Sequence, residues 1–200
     1  MAAHAPTTGH TLETNTGLDN RKLLMWLFLA SDCLFFGSFI AAYLLYRDRN
    51  VVGPYQDELY DIPFTSISSF VLLMSSLTMV LALAAIQRGN MRAMRIWLVA
   101  TALLGISFLA GQAFEFTEFY DHGLSLETNL FGTTFFVLTG FHGAHVAVGV
   151  LILLSLVHAS AIGKLTEKDS LAVEIGGLYW HFVDIVWIVI FTLVYLIQPG

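Results

Sequence analysis

The chain has 200 residues, of which 56% are hydrophobic and 12% are charged, whereas a typical soluble domain carries about 25% charged residues. One globular core cannot bury so large an apolar excess, but a helix of about 20 apolar residues crosses a bilayer with all of its backbone hydrogen bonds made internally. The single Cys33 excludes an internal disulfide and a cysteine-based zinc, iron–sulfur or covalent haem site, and a net charge of −6 without a basic stripe excludes a nucleic-acid partner.

Five apolar stretches follow one another along the chain, separated by short polar segments. Residues 1–20 are polar and lack the apolar core of a signal peptide, so we predict an N-terminal arm ahead of a single membrane domain at residues 21–200. The predicted spans cover residues 23–46, 64–86, 95–119, 131–158 and 174–198. Each span is long enough to cross about 30 Å of hydrocarbon. The predicted fold class is therefore all-α, a polytopic bundle of five transmembrane helices.

The distribution of Lys and Arg predicts the orientation of the spans, because cytoplasmic loops carry the excess of positive charge. Seven of the nine basic residues fall on the same side when the N-terminus is inside: Arg21, Lys22, Arg88, Arg92, Arg95, Lys164 and Lys168. The outer side receives Arg47 and Arg49, beside an acidic loop that carries Asp57, Glu58 and Asp61. We therefore predict the N-terminus inside and the C-terminus outside.

The first span contains one ionisable residue, Asp32. It lies about ten residues into the span, which at about 1.5 Å per residue places the carboxylate near the middle of the membrane. An ionisable group at this depth opposes insertion by about 2.5 to 3.5 kcal/mol. Asp32 therefore needs a partner or a function, while the second span contains no charged residue.

The later spans carry polar residues in pairs, three positions apart. The pairs are Gln112 with Glu115 near the outer end of the third span, His142 with His145 in the fourth, and His181 with Asp184 in the fifth. Residues at positions i and i+3 are neighbours on the surface of a helix. Each pair is therefore predicted to share one helix face.

Several interpretations of these residues are open. They can hydrogen-bond between helices and fix the geometry of the bundle, each contact contributing about 0.6 to 2 kcal/mol. Asp32 or Asp184 can instead handle protons, as in a respiratory subunit or a small proton-coupled transporter, although no proline interrupts a span as it often does in transporters. Ligation of haem or metal by the histidines is disfavoured, because carboxylate-bridged metal pairs use Glu-x-x-His motifs that are absent here.

Small and aromatic residues predict how the helices pack and where they end. The fourth span is lined by Gly132, Gly140, Gly143, Ala144, Ala147 and Gly149. Small residues let helix backbones approach closely, so this span is predicted to be central. Large amphipathic rings lie near predicted span ends at Trp26, Trp97, Tyr179, Trp180 and Tyr195, and are interpreted as anchors at the membrane interface.

Four segments of the chain resemble the haem-copper oxidase subunit III family. They read ASDCLFFG at residues 30–37, QAFEF at 112–116, FGTTFFVLTGFHGAHV at 131–146 and YWHFVDIVW at 179–187. Asp32 occupies the position of the family's membrane-buried carboxylate, where many members have Glu, and Glu174 matches a second family carboxylate. The five predicted spans are similar to the shorter bacterial form of the family.

The resemblance implies a role without a catalytic centre of its own. Members of this family hold no redox cofactor, and we expect no catalytic residue and no metal ligand in this chain. The haems and copper are expected in partner subunits, above all in subunit I, which the chain would contact directly beside subunits II and IV of the complex. Phospholipid is expected to bind as well, against a neighbouring subunit, and the location implied is the inner (plasma) membrane of a bacterial cell.

The implied process is aerobic respiration, in which a proton-pumping terminal oxidase reduces oxygen to water. The resemblance implies that this chain supports the stability and the proton uptake of subunit I. Cytochrome c is the favoured electron donor, and quinol is the alternative, because both kinds of oxidase share this subunit. An accessory subunit of a nitric oxide reductase and a small proton-coupled transporter are the less favoured alternatives.

Overall fold

The structure is a computed structural model that describes residues 19–47 and 62–197. Its long helices are α1 (Asn20–Tyr46), α2 (Ile62–Gln87), α3 (Met91–Asp121), α4 (Leu130–Ala161) and α5 (Ser170–Phe191). A 3₁₀ turn (Glu167–Asp169) leads into α5, and a π-helical segment (Thr192–Leu196) continues it. The described residues contain no strand, and five helical segments are long and apolar enough to cross a membrane. The prediction of an all-α bundle with five spans is confirmed.

Some predicted features fall on other parts of the sequence. The polar arm up to residue 18, the acidic outer loop with Arg49, Asp57, Glu58 and Asp61, and the last three residues lie outside the described ranges.

Side-chain caps fix where three of the helices begin. Asp19 accepts a hydrogen bond from the backbone N–H of Arg21, Asn90 from that of Ala93, and Asn129 from that of Gly132. These side chains satisfy N–H groups that have no partner inside the helix. Asn90 explains why α3 starts at Met91, ahead of the apolar stretch that marks its span.

Two helices form the centre of the bundle. Helix α4 packs against α1, α3 and α5, while α5 packs against α1, α2 and α4. Helices α2 and α3 form the closest pair on one side, and α1 lies alone on the other side. The central position predicted for the fourth span is therefore confirmed.

Glycine permits the close contact of α3, α4 and α5. The ring of Trp180 lies so near Gly105 and Gly149 that an added Cβ would come within 2.5 Å and 2.8 Å of ring atoms. Gly143 plays the same part beside Gln112. At Gly140, by contrast, an added Cβ would meet no atom of residues 19–47 and 62–197 within 4 Å, so close packing of these residues does not require a glycine there.

The interpretation of the large aromatic residues as interface anchors is wrong for three of them. Tyr179, Trp180 and Tyr195 are 3%, 1% and 1% exposed, in the core of the bundle. The indole N–H of Trp180 donates to the Ser75 hydroxyl at 2.9 Å. The Ser75 hydroxyl, on a neighbouring helix, thus satisfies the indole N–H inside the core, so Trp180 does not need a position at the membrane interface for this purpose. Trp26 remains exposed, as an anchor would be.

Candidate functional site

The predicted polar residues lie between helices, in separate groups that connect different helices. The residues three positions apart share a side of their helix but do not bond to each other. In two of the pairs, Gln112 with Glu115 and His142 with His145, each member meets a different neighbouring helix, whereas His181 and Asp184 both meet α2.

The first group joins α1 and α4 through Asp32 and His145. His145 Nδ1 lies 2.7 Å from the carbonyl oxygen of Phe141, so this nitrogen carries a proton and donates it. His145 Nε2 faces Asp32 Oδ2 at 3.7 Å, beyond hydrogen-bond distance. Asp32 Oδ2 is buried and has no hydrogen-bond partner among the described residues. The two facing atoms are both acceptors in a neutral imidazole and a carboxylate, so one shared proton is needed to join them.

An open apolar groove adjoins this pair. It has a volume of about 820 Å³ and is formed by residues of α1, α4 and α5. Arg21 lies in its wall at the start of α1, and His145 and Tyr179 lie in its wall deeper in the bundle. The Tyr179 hydroxyl donates to the carbonyl oxygen of His145 at 3.0 Å. The groove therefore combines a cation near the membrane surface with a largely apolar interior.

The second group joins α2 and α5 through Ser76, His181 and Asp184. The Ser76 hydroxyl donates to Asp184 Oδ2 at 2.5 Å, and His181 Nδ1 lies 3.1 Å from the same hydroxyl oxygen. Ser76 thus bridges the two predicted residues of α5. The other carboxyl oxygen of Asp184 is buried without a partner among the described residues.

His142 turns away from His145 and toward α5. It is fully buried, and its Nε2 lies 3.1 Å from the carbonyl oxygen of Val183. That contact needs a proton on Nε2, because a carbonyl oxygen only accepts. The ring also packs on Trp187, with 4.7 Å between the ring centroids. His142 therefore ties α4 to α5 as a neutral, hydrogen-bonded core residue.

The third group lies between α2, α3 and α4 toward the other end of the bundle. The Gln112 amide donates to the carbonyl oxygen of Thr139 at 2.7 Å, and the Thr65 hydroxyl donates to Glu115 at 2.8 Å. Glu115 also takes part in a hydrogen bond with Tyr195. These contacts bind α3 to both of its neighbours and to the π-helical segment.

Glu174 forms an ion pair with Lys22, with 2.5 Å between Oε1 and Nζ. Both side chains are about one third exposed, at 33% and 28%. The pair connects the start of α1 to the start of α5.

The hydroxyl partners on α2 are absent from the sequence-based set of site residues. Thr65, Ser69 and Ser76 each bond to a polar side chain of α3 or α5. The signal available in the sequence is their recurrence along an otherwise apolar span. Serine and threonine also bond to their own helix backbone, so this recurrence alone does not identify the partners.

Among residues 19–47 and 62–197, no three His, Cys, Asp or Glu side chains lie together in a group that could hold a metal ion. The chemistry that the described groups offer is hydrogen bonding between helices and, at Asp32 and His145, the sharing of a proton.

Comparison with known proteins gives a consistent result. Residues 2–198 match the family model described as cytochrome c oxidase subunit III. The cytochrome c oxidase subunit 3 of Bacillus sp. strain PS3 is 38% identical, over 96% of this chain and 91% of the relative. The quinol oxidase subunit 3 of Bacillus spizizenii is 37% identical over 88% and 86%. The cytochrome c oxidase subunit 3 of Thermostichus vulcanus is 37% identical over 90% and 88%.

Proposed function

Because the chain belongs to the cytochrome c oxidase subunit III family, we propose that it stabilises the catalytic subunit I of a proton-pumping terminal oxidase and supports its proton uptake. Family membership makes the chain a subunit of a haem-copper oxidase complex, and its five apolar helices make it a multi-pass membrane protein. We further propose direct contact with subunit I, the presence of subunits II and IV, and residence in the inner membrane of a bacterial cell. The haems and copper belong to the partner subunits in this proposal.

The Asp32–His145 pair is the observation that carries the role in proton uptake. It places a carboxylate and an imidazole at membrane depth, 3.7 Å apart, beside an open groove. Such groups rarely occur inside a membrane without a partner or a function. The two facing atoms need one proton between them, and a water molecule or a small movement would complete the bond. A pair of this kind can accept and release a proton without disrupting the bundle.

Purification through an affinity tag on this chain tests the proposed assembly. Gentle detergent extraction should recover the chain together with a haem-bearing subunit, seen as haem absorption in the visible spectrum and as copurifying polypeptides. A tagged chain that is recovered folded but without any haem protein would contradict the proposal.

We propose cytochrome c as the electron donor of the complex, with quinol as the alternative. The relatives carry both names at nearly equal identity, 38% and 37%, and the donor site lies on another polypeptide in this proposal. Oxygen consumption by the purified complex with reduced cytochrome c, compared with a quinol, distinguishes the two donors. Activity with quinol alone would select the alternative.

We also propose that the groove holds one acyl chain of a bound phospholipid. Its apolar interior suits a hydrocarbon chain, and Arg21 at its end is placed to meet the phosphate. Mass spectrometry of the purified complex should show that Arg21→Ala lowers the amount of retained phospholipid. The exposed Arg92 of α3, which lies outside the groove, provides the control variant Arg92→Ala. Equal retention in both variants would contradict a lipid at this place.

A further inference from the structure

A strip of α5 faces outward between α1 and α2. Its members are Leu178, His181, Ile185, Ile188 and Val189, and all of them are at least partly exposed. Their spacing of three or four residues places them on one face of the helix. Ile185 is 59% exposed, and Ile188 and Val189 are 42% and 41% exposed. Leu73, Leu77 and Val80 of α2 are also exposed, and the bridging Ser76 lies among them in the sequence.

His181 is the one ionisable side chain on this strip, and it lies about 16 Å along α5 from Ser170, at about 1.5 Å per residue. Within the described part of the chain, only one of the two ring nitrogens of His181 has a hydrogen-bond partner. Nδ1 meets the Ser76 hydroxyl, and that hydroxyl gives its single proton to Asp184. Nδ1 must therefore be the protonated nitrogen. Nε2 is left as a hydrogen-bond acceptor that no group in residues 19–47 or 62–197 meets.

Lipid acyl chains offer no donor to such an atom, and a polar group left unsatisfied in hydrocarbon is unfavourable. The hydrogen bonds from Asp184 through Ser76 to His181 also hold the imidazole ring in place, so His181 cannot turn Nε2 inward without breaking its bond with Ser76. The surface beside it is otherwise apolar, which suits close packing of another transmembrane helix.

We propose that the α2–α5 face is the docking surface for the catalytic subunit, and that a transmembrane helix of that subunit donates a hydrogen bond from a hydroxyl or amide side chain to His181 Nε2. This inference rests on the proposed function. The α1–α4 side differs, because there the His145 nitrogens face Phe141 and Asp32 of the same chain and the surface is a groove.

Site-specific photo-crosslinking in the intact complex tests the surface. A benzophenone side chain at Ile185 should form an adduct with the haem-bearing subunit. Ile106 provides the matched control, because it is also an exposed isoleucine and stands as far from the first residue of α3 as Ile185 does from that of α5. Adducts from position 106 but not from 185, or adducts from 185 only with lipid or with a second copy of this chain, would overturn the proposal.

Two substitutions separate docking from internal stability. His181→Asn keeps a polar atom near the position of Nδ1, for the bond with Ser76, but has none at the position of Nε2, whereas His181→Gln reaches the position of Nε2. We expect the Asn variant to fold with an unchanged thermal midpoint, yet to leave the complex at a detergent concentration that the unchanged chain and the Gln variant withstand. Equal retention of the Asn variant would overturn the role of Nε2.

The outcome also separates this inference from the proposed function. Failure to recover any haem-bearing subunit with the unchanged chain would refute the proposed assembly and the docking surface together. Recovery of that subunit, with crosslinks from Ile106 in place of Ile185, would refute the docking surface alone.

Discussion

Two carboxylate–histidine pairs near the middle of their helices have different connections. Asp32 and His145 come from α1 and α4 and face each other at 3.7 Å, with no bridging group among the described residues. Asp184 and His181 come from the same helix and are bridged by the Ser76 hydroxyl of α2. The bridged pair makes its hydrogen bonds within the chain, and His181 Nε2 faces outward. The unbridged pair, Asp32 and His145, leaves a gap beside the groove. The same two residue types therefore join helices at Asp184 and His181, whereas at Asp32 and His145 they can take up or release a proton.

The helices that carry the two pairs also differ in how many residues they bury. Helix α1 buries only four residues in its length, Leu29, Asp32, Phe36 and Tyr43. Helix α5 buries ten, including two tryptophans and Asp184. Polar contacts at the α2–α5 interface therefore act inside a well-packed core, where the loss of a partner is costly. The Asp32–His145 contact lies at a thinner interface, where the surroundings can adapt.

Gly149→Ala should have the largest effect on stability, because it disturbs the packing of α4 against α5, the two central helices that carry His145, His181 and Asp184. The added Cβ would lie 2.8 Å from the Trp180 ring, and Gly105 confines that ring from α3. Overpacking of this kind typically destabilises a protein by about 1 to 3 kcal/mol. The thermal midpoint in detergent measures it. In the same helix, Gly140→Ala meets no atom within 4 Å and should be neutral or slightly stabilising, and an equal loss in both variants would contradict the packing account.

Ser76→Ala should come next, with a loss of about 0.6 to 2 kcal/mol, the range of hydrogen bonds between transmembrane helices. It removes the bridge and leaves Asp184 Oδ2 and His181 Nδ1 without the partner they share. Denaturation in mixed detergent measures the change. Ser31→Ala is the control, since that hydroxyl is exposed and bonds only to the carbonyl oxygen of Phe28 in its own helix. A Ser76 variant as stable as the Ser31 variant would show that the bridge contributes nothing.

The helices were predictable from the sequence because five long apolar stretches separated by polar turns leave a membrane chain few alternatives. The central position of α4 was also predictable, because its small residues let neighbouring helices approach closely. The anchoring role given to Tyr179, Trp180 and Tyr195 failed, because distance from a span end does not reveal whether a neighbouring helix supplies a polar partner. Ser75 supplies that partner for Trp180.

The polar residues that join helices were predictable on α1, α3, α4 and α5, but those on α2 and the contacts themselves were not. Spacing along a helix defines a face, yet the partner depends on how adjacent helices are aligned along their axes. His142 and His145 show this, since one bonds to α5 and the other faces α1. Ser76 shows it too, because nothing in an uncharged span distinguishes a bridging hydroxyl from one that bonds to its own backbone.

Glu174→Gln should have a smaller effect and tests whether charge or packing holds α1 in place. The Lys22–Glu174 pair is partly exposed at the end of the bundle, and such pairs contribute about 0.2 to 1 kcal/mol. The difference in thermal midpoint should disappear at about 1 M salt, where charges are screened over about 3 Å. The exposed Glu118 offers the control Glu118→Gln. If the thermal midpoint of the Glu174 variant stayed lower at high salt, the contact would stabilise the bundle by something other than charge pairing.

Asp32→Asn should have the smallest effect on stability and the clearest effect on function. Asp32 Oδ2 makes no hydrogen bond with the described residues, and Asn is nearly the same size, so the substitution removes no hydrogen bond at that atom and should leave the thermal midpoint nearly unchanged. Asn cannot share a proton with His145 as a carboxyl group can. The complex should therefore assemble, but its oxygen consumption should decline sooner during sustained turnover. Asp32→Glu should restore the lifetime, and His145→Phe should copy the defect from the other side of the pair. An unchanged lifetime in the Asn variant would show that the Asp32–His145 pair has no role in proton uptake.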